Sequence, residues 1–495
     1  MPAGQPSSGL FALLDRLSGA VILSGTIFGP WAFGTTQEWA VQTMNLAGLT
    51  LWGLLAGKGL LRWHAARGQG HRELAKPPLL TAECGEARWL ALATALILGY
   101  CLLSAWNARA TYRPEEWSFD YHSAFLWLPH SYDSEGSWRS LGIWCGIAGF
   151  FWALRDWILC SPELVLPTST GRPASSKLLP PLPSRLRLLL WVLSVNGAIL
   201  GLEAILQRIV GTNKLLWLLE TRINKEASDQ FGPFAYRANG AQYFNLLWPT
   251  TLGFWLASLR SRRISVPSHP ATPGTGHHLL LSCAMIMAIC PLVSTSRGGA
   301  IVMIGSLVLV GVVITLARWE STLGVKLAVF LFLVSIVGGG VLLGWEELGP
   351  RLESLQEGAQ LRESMYATGR RMASDNPLFG TGPGSFNHLF QLYRSSRDEY
   401  WPAQLHNDWL EFRITLGWVG MALIGLGLSL ALAKWFFPGR CLGDKYFMMM
   451  VWIALGGCLL HARFDFPFQI HSIFLLFVML CSVASCLSVK VDGHA

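Results

Sequence analysis

Residues 279–316 decide the fold class and have the sequence LLLSCAMIMAICPLVSTSRGGAIVMIGSLVLVGVVITL. Two apolar runs flank the short polar turn 294–299, and each run is close to the length that a helix needs to cross a bilayer. This pattern predicts two consecutive membrane helices. The turn between them contains hydroxyls, glycines and one arginine, and it would lie at a membrane surface.

The composition of the whole chain supports an integral membrane protein. Of its 495 residues, 52% are hydrophobic and only 14% are charged, whereas soluble domains carry about 25% charged residues. A soluble enzyme, a disordered chain and a collagen-like repeat are therefore excluded. The 23 Trp, 25 Phe and 51 Gly fit interfacial aromatic belts and close helix packing.

The apolar runs predict an all-α, polytopic fold of about twelve transmembrane helices, with one long outer loop that carries short helices. The predicted spans are 17–36, 39–61, 88–106, 138–159, 187–209, 241–260, 278–296, 299–317, 325–345, 412–434, 446–462 and 468–488. We expect two parts. Residues 1–277 hold the first six spans, and residues 278–490 form a core with the last six spans and the loop 346–411.

The distribution of charge predicts the orientation of these helices. If both termini are cytoplasmic, the excess of Lys and Arg falls on the cytoplasmic side, as the positive-inside rule requires. The basic stretch 260–263 and the segment 58–88 then lie inside. The net charge of +8 thus reflects topology and gives no reason to expect nucleic acid as a partner. The loops 160–186 and 261–277 would be flexible cytoplasmic connectors.

The turn Ser294-Thr295-Ser296-Arg297-Gly298-Gly299 is the first candidate site. Arginine stays charged, and its planar guanidinium matches phosphate oxygens, so Arg297 with Ser296 could hold a lipid-borne phosphate. The alternative is an interfacial arginine that extends to lipid headgroups.

The segment 362–386, RESMYATGRRMASDNPLFGTGPGSF, is the second candidate. A helix over 361–374 would place Arg362, Tyr366 and Arg370 on one broad face, with Arg371 beside them. Several guanidiniums could bind a diphosphate. A solvated helix that pairs its arginines with Glu363 and Glu357 is the alternative. The glycines that follow Pro377 predict a tight backbone turn.

Two further stretches contain titratable groups at helix ends. His406 and Asn407 precede a membrane helix, and a neutral imidazole can take a proton from a hydroxyl near neutral pH. Asp465, in the turn 461–467, could hold His406 or an arginine in place. Helix caps and a simple charge pair are the alternatives. No phosphate-binding loop, HExxH or DxD motif occurs, so we expect no metal site and no cofactor.

Three of these motifs resemble those of the O-antigen ligase and polymerase superfamily of bacterial envelopes. The turn 294–299 is similar to the family's SxSRG motif. Arg362 and the later ProLeuPheGlyThrGlyProGly at 377–384 resemble its arginine helix and P-L-x-G-x-G-P-G loop. His406-Asn407, followed after nine residues by Gly417-x-x-Gly420, fits its H-[NSQ]-x9-G-x-x-G pattern. The resemblance spans about 294–470 and implies a GT-C-like glycosyltransferase in the bacterial inner membrane, with its active site facing the periplasm.

The resemblance also implies a mechanism and partners. A polyprenyl-diphosphate-linked glycan would be the donor, and a lipid A-core-like glycolipid or a glycan would be the acceptor, in contact with membrane lipid. His406, Arg297 and Arg362 would be catalytic. The predicted substrate-binding residues are Arg370, Arg371, Asp465, Asn407 and Ser296.

Other functions remain open at this stage. A polymerase shares the donor chemistry and differs in its acceptor, and a protein-directed oligosaccharide transferase is a third variant. A transporter or flippase would also suit twelve spans. However, it predicts repeated halves and ionisable groups at mid-depth, and the sequence shows no internal repeat.

Overall fold

The computed structural model of the chain describes residues 6–67, 84–162, 182–264, 276–316, 323–353, 355–394, 403–437 and 444–488. The described residues are mostly helical (78%), as predicted. Most of the loops 160–186 and 261–277, together with both ends of the chain, lies outside the described residues. The predicted connectors there stay predictions.

The described residues form fourteen α-helices in chain order. They are α1 (Pro6–Trp31), α2 (Glu38–Arg67), α3 (Cys84–Trp106), α4 (Ser134–Leu159), α5 (Ser184–Val210), α6 (Arg237–Ile264), α7 (Gly276–Val293), α8 (Arg297–Leu316), α9 (Leu323–Glu353), α10 (Leu355–Asp375), α11 (Phe386–Tyr393), α12 (Asp408–Leu432), α13 (Lys445–His461) and α14 (His471–Leu487). The predicted helix at 361–374 is part of α10, and the predicted short helices of the loop 346–411 are α10 and α11.

Two small antiparallel hairpins add to the predicted all-α fold. The first pairs β1 (Ala110–Arg113) with β2 (Ser118–Tyr121), and the second pairs β3 (Lys214–Leu215) with β4 (Leu219–Glu220). Both lie in segments that the sequence places outside the membrane. The Thr, Tyr and Phe side chains of the first hairpin are common in strands.

Five of the described helices are long and apolar enough to cross a membrane, or six if the bent α9 counts as one span. The five spans are Gly9–Trp31, Ala87–Trp106, Ser184–Val210, Arg297–Thr315 and Asp408–Phe436. The shorter helices α7, α13 and α14 are also apolar. Twelve spans therefore stay a prediction, as does the division at residue 277.

Buried ion pairs join the first helices of the fold. Lys58 of α2 is fully buried, with its Nζ 2.6 Å from Asp156 of α4 and 3.4 Å from Asp15 of α1. Arg62 bonds to the same Asp156 at 2.7 Å, and Arg185 of α5 to Asp15 at 2.5 Å. Buried charges persist only when they are paired, so this cluster fixes the mutual register of α1, α2, α4 and α5.

The helix α12 is broken at Gly417, where φ is 61° and ψ is −169°. The glycine-rich segment 377–382 fills the break. The Trp418 N–H donates to the Pro377 carbonyl at 3.0 Å, and the Thr381 N–H donates to the Ile414 carbonyl at 2.8 Å. Gly380, Gly382 and Gly384 all have positive φ. The predicted backbone turn is thus confirmed, and it satisfies groups that the broken helix leaves unpaired.

Tyr100 of α3 contacts both the glycine-rich segment and the broken helix α12. Its hydroxyl lies 2.6 Å from the Phe379 carbonyl and 2.8 Å from the Leu416 carbonyl. A single hydroxyl therefore bridges the glycine-rich turn and the first half of α12. This contact fixes the end of the first half of α12, directly before the break at Gly417.

Gly417→Ala should unfold the protein at markedly milder conditions. A Cβ at Gly417 would overlap the Leu378 carbonyl oxygen, and the observed φ and ψ are almost confined to glycine, so we expect a cost of about 2 kcal/mol or more. Thermal unfolding in detergent or nanodiscs measures it.

Gly425→Ala in the same helix is the matched control, because a Cβ there meets no atom within 4 Å. Equal unfolding temperatures for the two variants would contradict a structural requirement for the break.

Candidate active site

The turn 294–299 has a fixed shape at the junction of α7 and α8. The Ser296 Oγ accepts from the Gly299 N–H at 3.1 Å and so caps the first turn of α8. Thr295 has a φ of 57°. Arg208 of α5 donates to the Ser294 carbonyl at 3.3 Å. Arg297 is half-buried and is the first residue of α8.

The same turn packs against the end of α13. A Cβ on Gly298 would lie 2.9 Å from the His461 Nε2, so only glycine allows this approach. The His461 Nδ1 is 2.6 Å from the Gln242 Oε1, and its Nε2 is 4.0 Å from the Asp465 Oδ2. His461 therefore lies between the turn 294–299 and Asp465.

Asp465 and His406 form a hydrogen-bonded pair. The His406 Nδ1 is 3.0 Å from the Asp465 Oδ1. The Asp465 side chain is 7% exposed and that of His406 is 26% exposed. A neutral imidazole that donates from Nδ1 presents Nε2 as a proton acceptor, and a carboxylate partner fixes that tautomer.

The surroundings of Asp465 keep it ionised. Burial by itself would raise the pKa of Asp465, but the hydrogen bond from His406 and the nearby charge of Arg362 outweigh burial, so the pKa lies below its usual value. A carboxylate held in this way can stabilise an imidazolium that forms on His406.

Arg362 and Tyr366 of α10 both contact the segments that carry this pair. The Arg362 Nη1 donates to the Phe464 carbonyl at 2.6 Å, directly before Asp465. The Tyr366 hydroxyl donates to the His406 carbonyl at 2.8 Å. The helix α10 therefore brings one guanidinium to the site and also fixes the backbone of His406.

Arg370 and Arg371 lie elsewhere on α10. Arg370 bonds to Glu363 at 2.5 Å, and both side chains are more than half exposed. Arg371 is also exposed. Eight residues along a helix correspond to a rotation of about 80° away from the starting direction, so Arg370 leaves the face that Arg362 occupies. The alternative of a solvated charge pair therefore describes Arg370, and the predicted role of both arginines in substrate binding stays a prediction.

The backbone at His406 is strained and firmly held. His406 has a φ of 58°, a region that non-glycine residues rarely adopt and that is common at functional sites. The Asn407 Oδ1 accepts from the Leu410 N–H at 3.2 Å and caps α12. The Asp408 N–H donates to the carbonyls of Ala462 and Asp465. The start of α12 is thereby joined to the turn that carries Asp465.

Tyr236 is a site residue that the sequence analysis missed. Its ring stacks on Phe466 at 5.4 Å and meets the His406 ring edge-on at 5.6 Å. Burial and the neighbouring Asp465 carboxylate raise the pKa of its hydroxyl, so the hydroxyl stays protonated and can donate. Its own segment contains no recognisable motif. The unexplained length of the outer segment 210–240 was the sole signal.

A cavity of about 1400 Å³ opens beside the imidazole. Its wall contains His406, Tyr236 and Phe466, together with amide and hydroxyl side chains and several aromatic rings. The amide and hydroxyl groups come from Gln37, Thr221, Asn224, Asn239, Ser364, Thr368, Gln404 and Gln469. Among the described residues that form the wall, neither Arg297 nor Arg362 occurs. The cavity therefore reaches the imidazole without reaching Arg297 or Arg362, although Arg222 and Arg394 line it.

A possible metal-binding group lies far from this site in the sequence. Within the described parts of the chain, Asp15, Asp156 and Cys160 are the group whose ligand atoms lie close enough together to hold an ion. Lys58 and Arg62 already pair with these carboxylates. The donor set thus fits an ion-pair cluster better than a metal centre.

A comparison with known families tests the resemblance that these motifs indicate. Residues 282–425 match the family model described as O-antigen ligase. The chain carries an O-antigen ligase domain. This confirms the resemblance predicted from the motifs, and the O-antigen ligase domain includes Arg297, Arg362 and His406. Tyr236 and Asp465 lie outside the matched segment. No curated protein matches the chain.

The domain and the apolar helices together indicate a multi-pass membrane enzyme of the O-antigen ligase or polymerase type. Enzymes of this type act in general on lipid-linked glycans and on glycolipid or glycan acceptors.

Tyr236→Phe should lower turnover by roughly tenfold with little effect on unfolding. The phenylalanine keeps the ring contacts but removes the hydroxyl near Asp465, and a hydrogen bond from that hydroxyl to the charged carboxylate would contribute about 1.5 kcal/mol. Glycan transfer by purified protein measures the effect.

Tyr243→Phe is the matched control, because Tyr243 is buried on α6 and contacts Phe234 and Phe244 rather than the pair. Equal turnover of Tyr236→Phe and Tyr243→Phe would show that the hydroxyl of Tyr236 has no part in the site.

Proposed function

We propose that this protein transfers a polyprenyl-diphosphate-linked glycan to an acceptor hydroxyl at the periplasmic face of the bacterial inner membrane. The reaction would invert the anomeric carbon and need no metal. The observation that carries the proposal is the His406–Asp465 pair, which stands at a large polar cavity and has a guanidinium beside it. Both termini would be cytoplasmic.

His406 is the general base in this proposal. Its Nδ1 is bonded to Asp465, which leaves Nε2 to take the proton from the acceptor hydroxyl. The oxygen then forms a bond to the anomeric carbon as the bond from that carbon to the diphosphate breaks. Asp465 stabilises the imidazolium that results. General-base catalysis of this kind contributes roughly 10²- to 10⁴-fold to the rate.

Arg297 and Arg362 would neutralise the diphosphate leaving group. Fixed positive charge can stabilise the developing charge of a phosphate without a metal ion. Arg297 lies at the N-terminus of α8, where the helix dipole also favours an anion. The cavity reaches His406 without these two arginines. The acceptor would therefore attack the anomeric carbon from the side opposite the diphosphate, as inversion requires.

The other predicted binding residues have supporting roles in this proposal. Ser296 accepts from Gly299, and its hydroxyl proton is still available for a phosphate oxygen. Asn407 holds the start of α12 and would act through the position of His406. Arg370 or Arg371 would assist from the exposed face of α10, where long guanidinium side chains can reach phosphates.

The acceptor decides between the two leading functions. A ligase would use a lipid A-core-like glycolipid, and a polymerase would use a second carrier-linked glycan. The histidine pattern 406–420 favours the ligase. The cavity accommodates several sugar rings at about 1400 Å³ and suits either acceptor. Transport is less well supported because the proposed site brings its ionisable groups together at helix ends.

His406→Ala and Arg297→Ala should each reduce glycan transfer by at least 10²-fold, because one removes the base and the other removes charge from the leaving-group site. The measurement is turnover in proteoliposomes with a lipid-linked donor, alongside membrane abundance.

Two exposed residues supply matched controls for these variants. His122→Ala removes an imidazole that bonds to Thr111 on the first hairpin, and Arg139→Ala removes a guanidinium that pairs with Glu38. Normal turnover by His406→Ala and Arg297→Ala would refute the assignment, and so would an equal loss in the controls.

Transfer should continue when a chelator removes divalent cations. Guanidiniums would hold the diphosphate, so we expect turnover in excess chelator to stay within about twofold of its untreated value. A complete loss that added Mg²⁺ or Mn²⁺ restores would contradict the metal-free route.

A deletion strain separates ligase from polymerase. Polymer that accumulates on its carrier lipid, seen as glycans separated on a gel, would indicate a lost ligase. Single repeat units would indicate a lost polymerase, and unchanged surface glycans would contradict both.

A further inference from the structure

An exposed apolar turn lies in the segment between α3 and α4. The Leu128 N–H donates to the Phe125 carbonyl at 3.1 Å, which closes a turn with Leu126 and Trp127 at its corners. Phe125 is 54% exposed, Leu126 is 63% exposed and Trp127 is 72% exposed. Turn corners usually carry Gly, Pro, Asn or Asp. Three large apolar side chains at this place point to a partner that covers them. We call residues 125–127 the apolar tip.

Asn107 fastens the apolar tip to the end of a membrane span. Its Nδ2 donates to the carbonyls of Phe125 at 2.8 Å and Pro129 at 3.1 Å, and its Oδ1 accepts from the Phe125 N–H at 2.8 Å. Asn107 is buried, so water does not compete for these bonds. It directly follows Trp106, the last residue of the span Ala87–Trp106.

This attachment fixes the level of the apolar tip relative to a bilayer. Leu102, Leu103 and Trp106 form an exposed apolar face on the last turn of α3, which suits contact with lipid. Each interfacial layer of a bilayer is about 5 to 8 Å thick. The Phe125 backbone is within hydrogen-bond distance of the residue after the span. The apolar tip therefore lies within that layer, where tryptophan is enriched.

We propose that Phe125, Leu126 and Trp127 insert into the interfacial layer of the membrane and anchor the outer part of the protein to the lipid surface. The occupant of this patch is lipid, because Asn107 fastens the tip to the end of the span whose last turn exposes Leu102, Leu103 and Trp106. The inference is independent of the proposed function and of which side of the membrane the segment occupies.

The anchor acts on the region around His406 through the backbone that follows it. The Tyr132 N–H donates to the Thr381 carbonyl at 2.9 Å, and the Ser137 hydroxyl donates to the Pro383 carbonyl at 2.7 Å. These bonds hold the glycine-rich turn that fills the break in α12. Membrane contact at the apolar tip thus helps to set the height of α12, and of His406 directly before it, above the bilayer.

A nitroxide spin label at Leu126→Cys tests the anchor in the full-length protein, reconstituted at one copy per nanodisc. Collisions with oxygen, which partitions into lipid, are compared with collisions with a water-soluble nickel chelate. Trp117→Cys is the matched control. Trp117 is 68% exposed and lies at the far end of the first hairpin, about 13 Å from its base by strand length. Unmodified protein treated with the same label gives the background from native cysteines.

We expect the label at position 126 to show at least a threefold higher ratio of oxygen to nickel collisions than the label at position 117. Phe125→Cys and Trp127→Cys repeat the measurement if Leu126→Cys does not fold. Asn107→Ala should reduce the difference because it releases the tip. Equal ratios at 126 and 117 would overturn the proposal. A raised oxygen-to-nickel ratio that appears only with two copies per nanodisc, or only after a membrane extract is added, would also overturn the proposal. Such a result would assign the tip to a protein partner.

Discussion

The candidate site depends on one buried carboxylate, that of Asp465. It accepts a hydrogen bond from His406, and it lies near Tyr236, His461 and Arg362. A buried carboxylate is costly unless nearby donors and positive charges stabilise it. Asp465 therefore requires groups from α10 and α13, and from the segments before α6 and before α12, to converge. This requirement holds the imidazole and the guanidinium together, although they are far apart in the sequence.

The glycines of the family motifs serve the same convergence through the backbone. Gly417 breaks α12, and the segment 377–382 enters the break and pairs with its free backbone groups. Gly298 allows the turn 294–299 to approach His461. These residues do not touch a substrate in the proposed mechanism. They allow close approaches that a Cβ would prevent, and as a result the charged side chains reach one place.

Several parts of the structure could be predicted from local sequence. The apolar runs gave the helical class, Pro377 marked the end of α10, and the spacing of Arg362 and Tyr366 placed both on one face. Arg370 left that face because the helical repeat is not a whole number of residues. Tyr236 was missed because an aromatic residue in an irregular segment carries no periodic signal. Lys58 and Arg62 of α2 form buried ion pairs with Asp156 of α4. Hydropathy alone does not show that these charged residues find partners inside the protein.

The sequence by itself determined that this is a helical membrane protein with an O-antigen ligase domain, and it identified His406, Arg297 and Arg362 as residues of interest. Periodicity and motif spacing are local properties, so they can be read along the chain. Only the tertiary structure decided that Asp465 partners His406 and that Tyr236 lies against this pair. Those outcomes depend on which helices pack side by side and on how buried charges find partners, and neither is encoded within any single segment.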